Sequence, residues 1–308
     1  MSTFTLTARG PFALASSVTF LEGFTPASFA PTSDRALELA FPVEGGWQSV
    51  GVRVRGHRHG VTGEIVSPSP PGRKLSEAVR TQVARILSLD VDGSGFPAVG
   101  ERDHVVAGLQ NRYPGLRPVC FYSPYEAAAW AVIGHRTRMR QAAAIKARMA
   151  EHLGDPVAFD DRVVHAFPPP QRLAELTDFP GLTGRKPEWL RAIAKAAVDG
   201  RLDAGRLRAL PPERALDELK ALPGIGDFSA ELVLLRGAGH PDRAPRHEPR
   251  LARATALAYQ LPDTPTDAEL TRLSENWKPY RTWVCVLLRA QLEDETGEIG
   301  GRPPRARA

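Results

Sequence analysis

A glycine-containing turn near residue 224 has the residue types needed to bind an anion. Leu222-Pro223-Gly224-Ile225-Gly226 lies between two helical patterns, so the sequence predicts a hairpin of two helices over residues 211–236. Two glycines let the backbone of such a turn approach another molecule closely. The N–H groups at the start of the second helix lack partners within that helix, and the helix dipole favours negative charge there. A DNA phosphate fits this geometry, whereas Asp227 would repel a phosphate and favours a purely structural turn.

Two groups of basic residues accompany this turn. The stretch from His135 to Ala150 contains several arginines and no acidic residue, and a second group of arginines follows the hairpin. The candidates for phosphate contacts are Arg138, Arg246 and Arg250 together with the backbone at Leu222, Gly224, Ile225 and Gly226. Such contacts would dominate the affinity for DNA. The alternatives are a solvated helix face for the first group and an ion pair with a nearby carboxylate for the second.

Composition and charge place the chain among ordinary globular proteins. Its 308 residues are 42% hydrophobic and 24% charged, with a net charge of +5, which excludes disorder throughout and permits a nucleic-acid partner. Cys120 and Cys285 are too few for a disulfide framework or a four-cysteine cluster. The chain has no run of about 18 apolar residues and no secretory signal pattern, so we expect a cytoplasmic protein that does not span a membrane, nucleoid-associated if bacterial.

Other chemistries have little support in the sequence. His57 and His59 lie close together, but no third ligand is spaced nearby, so they read as solvated histidines rather than a metal site. The chain has neither a Gly-x-x-x-x-Gly-Lys-Ser/Thr loop nor a Gly-x-Ser-x-Gly elbow. We therefore expect no metal and no organic cofactor.

The periodicity of apolar residues changes once along the chain. Alternation over residues 37–41 and 50–54 predicts two strands, and a third short run covers 61–65; the proline-rich segment 67–72 ends this part. From residue 73 onward, spacings of three and four predict helices, beginning with 75–87 and one that opens at Ser123-Pro124. We expect an α+β fold, with an N-terminal antiparallel β-sheet domain over 1–72 and a mostly helical region over 73–308.

Four separated segments together resemble the helix-hairpin-helix DNA glycosylases, specifically the DNA-3-methyladenine glycosylase II (AlkA-type) branch. The hairpin at 222–226 resembles the family's Leu-Pro-Gly-Ile-Gly, and residues 277–283 resemble the start of its last large helix. Residues 167–176 resemble its Phe-Pro-Thr-Pro-Gln-Arg-Leu linker, and 131–134 resemble the helix end before its base-wedge loop. The resemblance covers about residues 120–290. It implies two helical subdomains, 123–240 and 73–122 plus 241–308, with a flipped nucleotide in the cleft between them.

The resemblance also implies a catalytic carboxylate. An ungapped count from the hairpin places Glu248 where the family has its catalytic Asp. The extra methylene would move the charge by about 1–1.5 Å, a displacement that can cost about a hundredfold in rate. Asp242 is the alternative carboxylate, although it comes too early by this count. Bifunctional relatives carry a Lys where this chain has Phe228, so the resemblance implies a monofunctional enzyme that leaves an abasic site.

The base pocket implied by the resemblance departs from the family pattern. Its positions here are Phe228, Leu232, Pro249, Arg289 and His135. Only Phe228 is aromatic; Leu232 and Pro249 replace tyrosines, and Arg289 replaces a Trp, although Arg is a poor host for a cationic base. For His135, a satisfied loop histidine is the alternative.

The wedge that fills the gap left by a flipped nucleotide also differs. Arg136 occupies the position where the family has an apolar Leu plug. Its planar guanidinium can stack in the gap, or it can simply hold a phosphate.

These features predict a monofunctional DNA glycosylase that hydrolyses the N-glycosidic bond of damaged, alkylated bases in double-stranded DNA. The carboxylate would stabilise the positive charge that develops on the sugar. We expect a monomer without an obligate protein partner, a metal or a cofactor. The alternatives are a DNA-binding protein without base excision and a glycosylase for a bulky or neutral lesion.

Overall fold

The N-terminal part of the chain forms a four-stranded antiparallel sheet. The computed structural model describes residues 2–22, 36–67, 70–160 and 162–298. The strands are β1 (Ser2–Thr7), β2 (Leu37–Pro42), β3 (Ser49–His57) and β4 (Gly60–Val66). They pair in the order β1-β4-β3-β2. The predicted alternation is confirmed in β3, where Val50, Val52 and Val54 are buried.

Helices and a small hairpin cover this sheet. The helix α1 (Leu14–Glu22) and the helix α2 (Arg73–Ile86) share the apolar core of the sheet, with Val79 and Val83 fully buried. This core therefore extends beyond residue 72. A second hairpin, β5 (Pro156–Phe159) and β6 (Arg162–His165), packs near β2, which is buried on both faces for this reason.

The rest of the described chain is helical, as the change in periodicity predicts. In chain order, the α-helices are α3 (Pro97–Arg102), α4 (His104–Arg112), α5 (Pro124–Gly134), α6 (Met139–Leu153), α7 (Pro170–Ala174), α8 (Lys186–Val198), α9 (Ala204–Ala209), α10 (Pro212–Lys220), α11 (Asp227–Leu232), α12 (Pro249–Tyr259), α13 (Asp267–Glu275) and α14 (Arg281–Thr296). A π-helical turn at Val233–Gly237 continues α11. The predicted start of α5 is confirmed, because the Ser123 hydroxyl accepts a hydrogen bond from the Glu126 amide at 3.1 Å. The fold is therefore the expected α+β combination.

Two apolar cores organise these helices. The first contains α5 to α11 and lies mostly between residues 121 and 238. The second joins residues 96–116 to residues 251–292, so that α4, α12 and α14 pack together. The chain returns to the second core through the loop after α11, and this loop carries Glu248. The domain boundaries themselves stay predictions of the sequence. No helix in the described ranges is long and apolar enough to cross a membrane.

Candidate active site

The hairpin between α10 and α11 has the tight turn that the sequence predicts. Gly224 has a φ of +80°, and a Cβ there would lie 2.6 Å from the ring atom Cε3 of Trp189. Position 224 therefore requires glycine, because its φ is positive and the Trp189 ring leaves no room for a side chain. Leu222 and Ile225 are buried in the first helical core, so their side chains are not available to a ligand.

The start of α11, where the sequence predicts a phosphate site, has no side-chain cap. Gly226 precedes the helix and supplies no side-chain cap for its first N–H groups. The Asp227 side chain is 57% exposed and lies 3.4 Å from the Lys220 ammonium. Lys220 therefore offsets part of the repulsion that Asp227 would exert on a phosphate.

Glu248 lies at the start of α12 and is nearly buried. The residue is 9% exposed, and its Oε1 accepts a hydrogen bond from the Arg250 amide at 3.3 Å. Its Oε2 lies 3.7 Å from Nη1 of Arg289, which makes Arg289 its ion-pair partner. Helix capping thus fixes the backbone of Glu248, while Arg289 faces its charge.

A buried carboxylate on α11 holds the loop that leads to Glu248. Glu231 is 3% exposed. Its Oε1 accepts a hydrogen bond from the Arg246 amide at 3.0 Å, and its Oε2 accepts one from the His247 amide at 3.0 Å. Sequence reasoning missed this residue. The available signal was an acidic side chain beside the apolar face formed by Phe228, Leu232 and Leu235.

A cavity of about 50 Å³ lies in front of Glu248. It is lined by four of the residues predicted for the site, namely Phe228, Leu232, Glu248 and Arg289. The walls are completed by Glu231, Leu235, Arg236, Pro245, Leu251, Thr282, Cys285 and Val286. Phe228 is 43% exposed, so part of this residue is open to contact with a ligand.

Two predicted pocket residues lie elsewhere. Pro249 begins α12 next to Glu248 and does not line this cavity. His135 is exposed in the turn after α5, and its ring packs edge-to-face on Trp189 with centroids 5.6 Å apart. Trp189, which the sequence did not single out, therefore touches both this turn and the hairpin glycine.

The turn between α5 and α6 presents the predicted wedge residue to solvent. Arg136 is exposed and has a φ of +50°, in the left-handed region. The buried Lys186 ammonium donates to the Ile133 carbonyl at 2.9 Å and to the Thr137 hydroxyl at 2.6 Å. Burial lowers the pKa of Lys186. This lysine, also missed from the sequence, fixes the base of the turn. Arg138 directly precedes α6 at its N-cap position and is exposed.

The other charged residues predicted for the site lie either at a separate cavity or next to Glu248 in the chain. Asp242, the alternative carboxylate, pairs with Arg281 at 2.8 Å and lines a separate cavity of about 190 Å³. Arg246 is exposed and Arg250 is half-buried, both beside Glu248 in the chain. No group of three or more His, Cys, Asp or Glu in the described ranges is arranged to hold a metal ion.

Comparison with known proteins identifies relatives in one enzyme class, although no family model matches the chain. The chain is 26% identical over 224 residues to a DNA-3-methyladenine glycosylase of Bacillus subtilis, covering 70% of this chain and 74% of that protein. It is 30% identical over 180 residues to DNA-3-methyladenine glycosylase 2 of Escherichia coli, covering 56% and 59%. Among solved structures, the 3-methyladenine DNA-glycosylase from Archaeoglobus fulgidus has the same fold. It superimposes with a TM-score of 0.75 at 21% identity and covers 94% of this chain and 97% of that one.

Proposed function

The chain belongs to the helix-hairpin-helix DNA glycosylases, in the DNA-3-methyladenine glycosylase II branch, and on this premise we propose that it excises damaged bases from double-stranded DNA. The observation that carries the proposal is the position of Glu248 at the wall of a cavity that Phe228 also lines. A flipped base stacked on Phe228 would bring its sugar towards the carboxylate.

The proposed reaction is hydrolysis of the N-glycosidic bond. A water oxygen forms a bond to C1′ while the bond from C1′ to the base nitrogen breaks and its electron pair stays with the base. Glu248 stabilises the positive charge that develops on the sugar and accepts the proton of the water. Its low exposure strengthens this electrostatic effect, because water screens the charge less at a nearly buried site.

The enzyme is proposed to be monofunctional. Strand cleavage through a Schiff base needs an amine beside C1′. Phe228 occupies the position of the lysine in bifunctional relatives, and none of the described residues that line the cavity is a lysine. The product would be an abasic site in an intact strand.

DNA binding would use the hairpin and two flanking basic groups. The backbone from Leu222 to Gly226 would hold one phosphate, while Arg138, Arg246 and Arg250 contact others. Arg136 would enter the gap that the flipped nucleotide leaves, since it stands on a turn fixed from below by Lys186. The proposal includes duplex DNA as the partner, a monomer without an obligate protein partner, and action in the cytoplasm.

The test is release of free bases from methylated duplex DNA, measured by mass. We expect the wild type to release modified bases and to leave the strand uncut until alkali is added. Glu248→Gln keeps an oxygen that can accept from the Arg250 amide, so it should fold and bind DNA but release no bases. Asp242→Asn, at the alternative carboxylate, should retain release. DNA binding by the wild type without release of any base would overturn the proposal.

A further inference from the structure

We propose that Arg289 makes this pocket select uncharged bases over cationic ones. The inference rests on the proposed function and names its substrate class: neutral damaged bases, including neutral alkyl adducts, that present a hydrogen-bond acceptor. N-methylated purine nucleosides that carry a positive charge would be the poorer substrates.

Both carboxylates of the cavity are already engaged within the protein. Glu231 accepts hydrogen bonds from the Arg246 and His247 amides. Glu248 accepts from the Arg250 amide and faces Arg289. A cationic base would therefore have to compete with existing partners for either negative charge.

Two guanidinium groups line the same cavity. Arg236 is buried, donates to the Val119 carbonyl, and lies over the Phe20 ring at 5.2 Å from its centroid. Although burial lowers the pKa of Arg236 to about 10, the group stays charged at neutral pH. The Arg289 side chain is 23% exposed. A positive base would enter a space already lined by two positive groups, which is unfavourable.

Arg289 also has an unused donor. Its Nε is buried and has no hydrogen-bond acceptor among the described residues. The distance of 3.7 Å from its Nη1 to the Glu248 carboxylate is too long for a normal hydrogen bond. A buried donor without a partner is costly, so an acceptor on the bound base would relieve this cost.

The cavity lacks the surface that attracts cations. Cation binding by aromatic side chains needs ring faces around the charge. Phe228 is the only aromatic residue among the described residues that line the cavity, and most of its apolar neighbours are aliphatic. A neutral base can still stack on Phe228, because every base has a π-face.

Arg289 would also assist the departure of a neutral base. When the bond from C1′ to such a base breaks, the electron pair leaves the base negatively charged. A guanidinium N–H donating to the base stabilises that charge, and the base then takes a proton from solvent. The water proton goes to Glu248, so the step needs no further reactant. A cationic base leaves without this help.

The first test measures binding of two duplexes that differ in charge alone. One carries 7-methylguanine on a 2′-fluoro sugar, which resists hydrolysis, and the other carries its neutral isostere 7-methyl-7-deazaguanine on the same sugar. We expect the wild type to bind the neutral duplex about tenfold more tightly, the size expected for one charged contact at a partly exposed site. Arg289→Met should abolish the difference, and the matched control Arg289→Lys, which keeps the charge, should retain it.

The second test measures single-turnover excision of hypoxanthine and of 7-methylguanine by the wild type and Arg289→Met. The substitution should slow hypoxanthine release at least about tenfold more than it slows 7-methylguanine release. If Arg289 had only a structural role, Arg289→Met would slow excision of both lesions alike, and that result would overturn the inference. Equal binding of the two duplexes by the wild type would also overturn it. If neither base is released but the binding preference persists, the proposed function fails while the selectivity of the pocket stands.

Discussion

Replacing Glu231 with Gln would remove the charge that holds the loop in front of Glu248. The carboxylate accepts hydrogen bonds from the Arg246 and His247 amides, and the His247 ring nitrogen Nδ1 lies 3.3 Å from Oε2. Gln offers one acceptor oxygen, and its NH₂ group would face a second backbone donor. At least one charge-assisted hydrogen bond is therefore lost at a site that is 3% exposed.

The loss of one charge-assisted hydrogen bond sets the size of the expected effect on stability. One hydrogen bond to a charged group contributes about 1.5–3 kcal/mol, so the free energy of unfolding should fall by about that amount. For a domain of this size, the melting temperature should drop by roughly 5 °C. Release of the loop would displace Glu248, which directly follows His247, and a displacement of about 1 Å can slow the reaction about a hundredfold.

Single-turnover excision and DNA affinity, measured on the same preparation, separate these effects. We expect the excision rate to fall about a hundredfold and the affinity for duplex DNA to fall less than about tenfold, since Arg246 is one of several proposed phosphate contacts. Glu188→Gln is the matched control, because Glu188 is half-exposed and pairs with Arg185 on the surface. If Glu231→Gln excises bases at the wild-type rate, the reasoning about this loop is refuted.

Two further predictions concern the hairpin and the loop after α11. Gly224→Ala should cost about 2–3 kcal/mol and weaken DNA binding, because it forces a side chain into the left-handed region and into Trp189; chemical denaturation and affinity for undamaged duplex check this. Gly226→Ala, where a Cβ meets nothing within 4 Å and φ is −97°, should cost under about 1 kcal/mol, and equal losses would contradict the account. Burial lowers the pKa of His240, so its stabilising contribution is complete above the unfolded value of about 6.5 and is lost as the pH falls below it. Thermal unfolding at about pH 7.5 and pH 5.5 should show a smaller acid loss for His240→Asn than for the wild type, and an unchanged loss would refute this.

The parts of the fold that the sequence predicts are those determined by local pattern. Strands β2 and β3 follow from alternation, β4 follows from a short run at 61–65, and α5 follows from its Ser123 cap. The hairpin turn follows from its two glycines. Elements with weaker local signals, such as the four-residue strands β5 and β6, were not predicted, because their pairing depends on packing against β2.

Some features of the candidate site could likewise be predicted from the sequence, and others could not. Counting from the hairpin located Glu248, and the structure places it with Phe228, Leu232 and Arg289 around one cavity. The roles of those residues stay predictions. The contacts of Glu231 could not be read from the sequence, since its partners lie 15 and 16 residues away. Tertiary contacts of this kind leave no periodic signal.

Formation of abasic sites tests the central claim most directly. Enzyme in excess over a duplex with a single damaged base gives the rate of the chemical step, free of product release. The account predicts one abasic site per lesion for the wild type and a rate at least about a hundredfold lower for Glu248→Gln, with DNA affinity unchanged. Equal rates for the two proteins would contradict the role of Glu248, and its assignment as the catalytic carboxylate would have to be withdrawn.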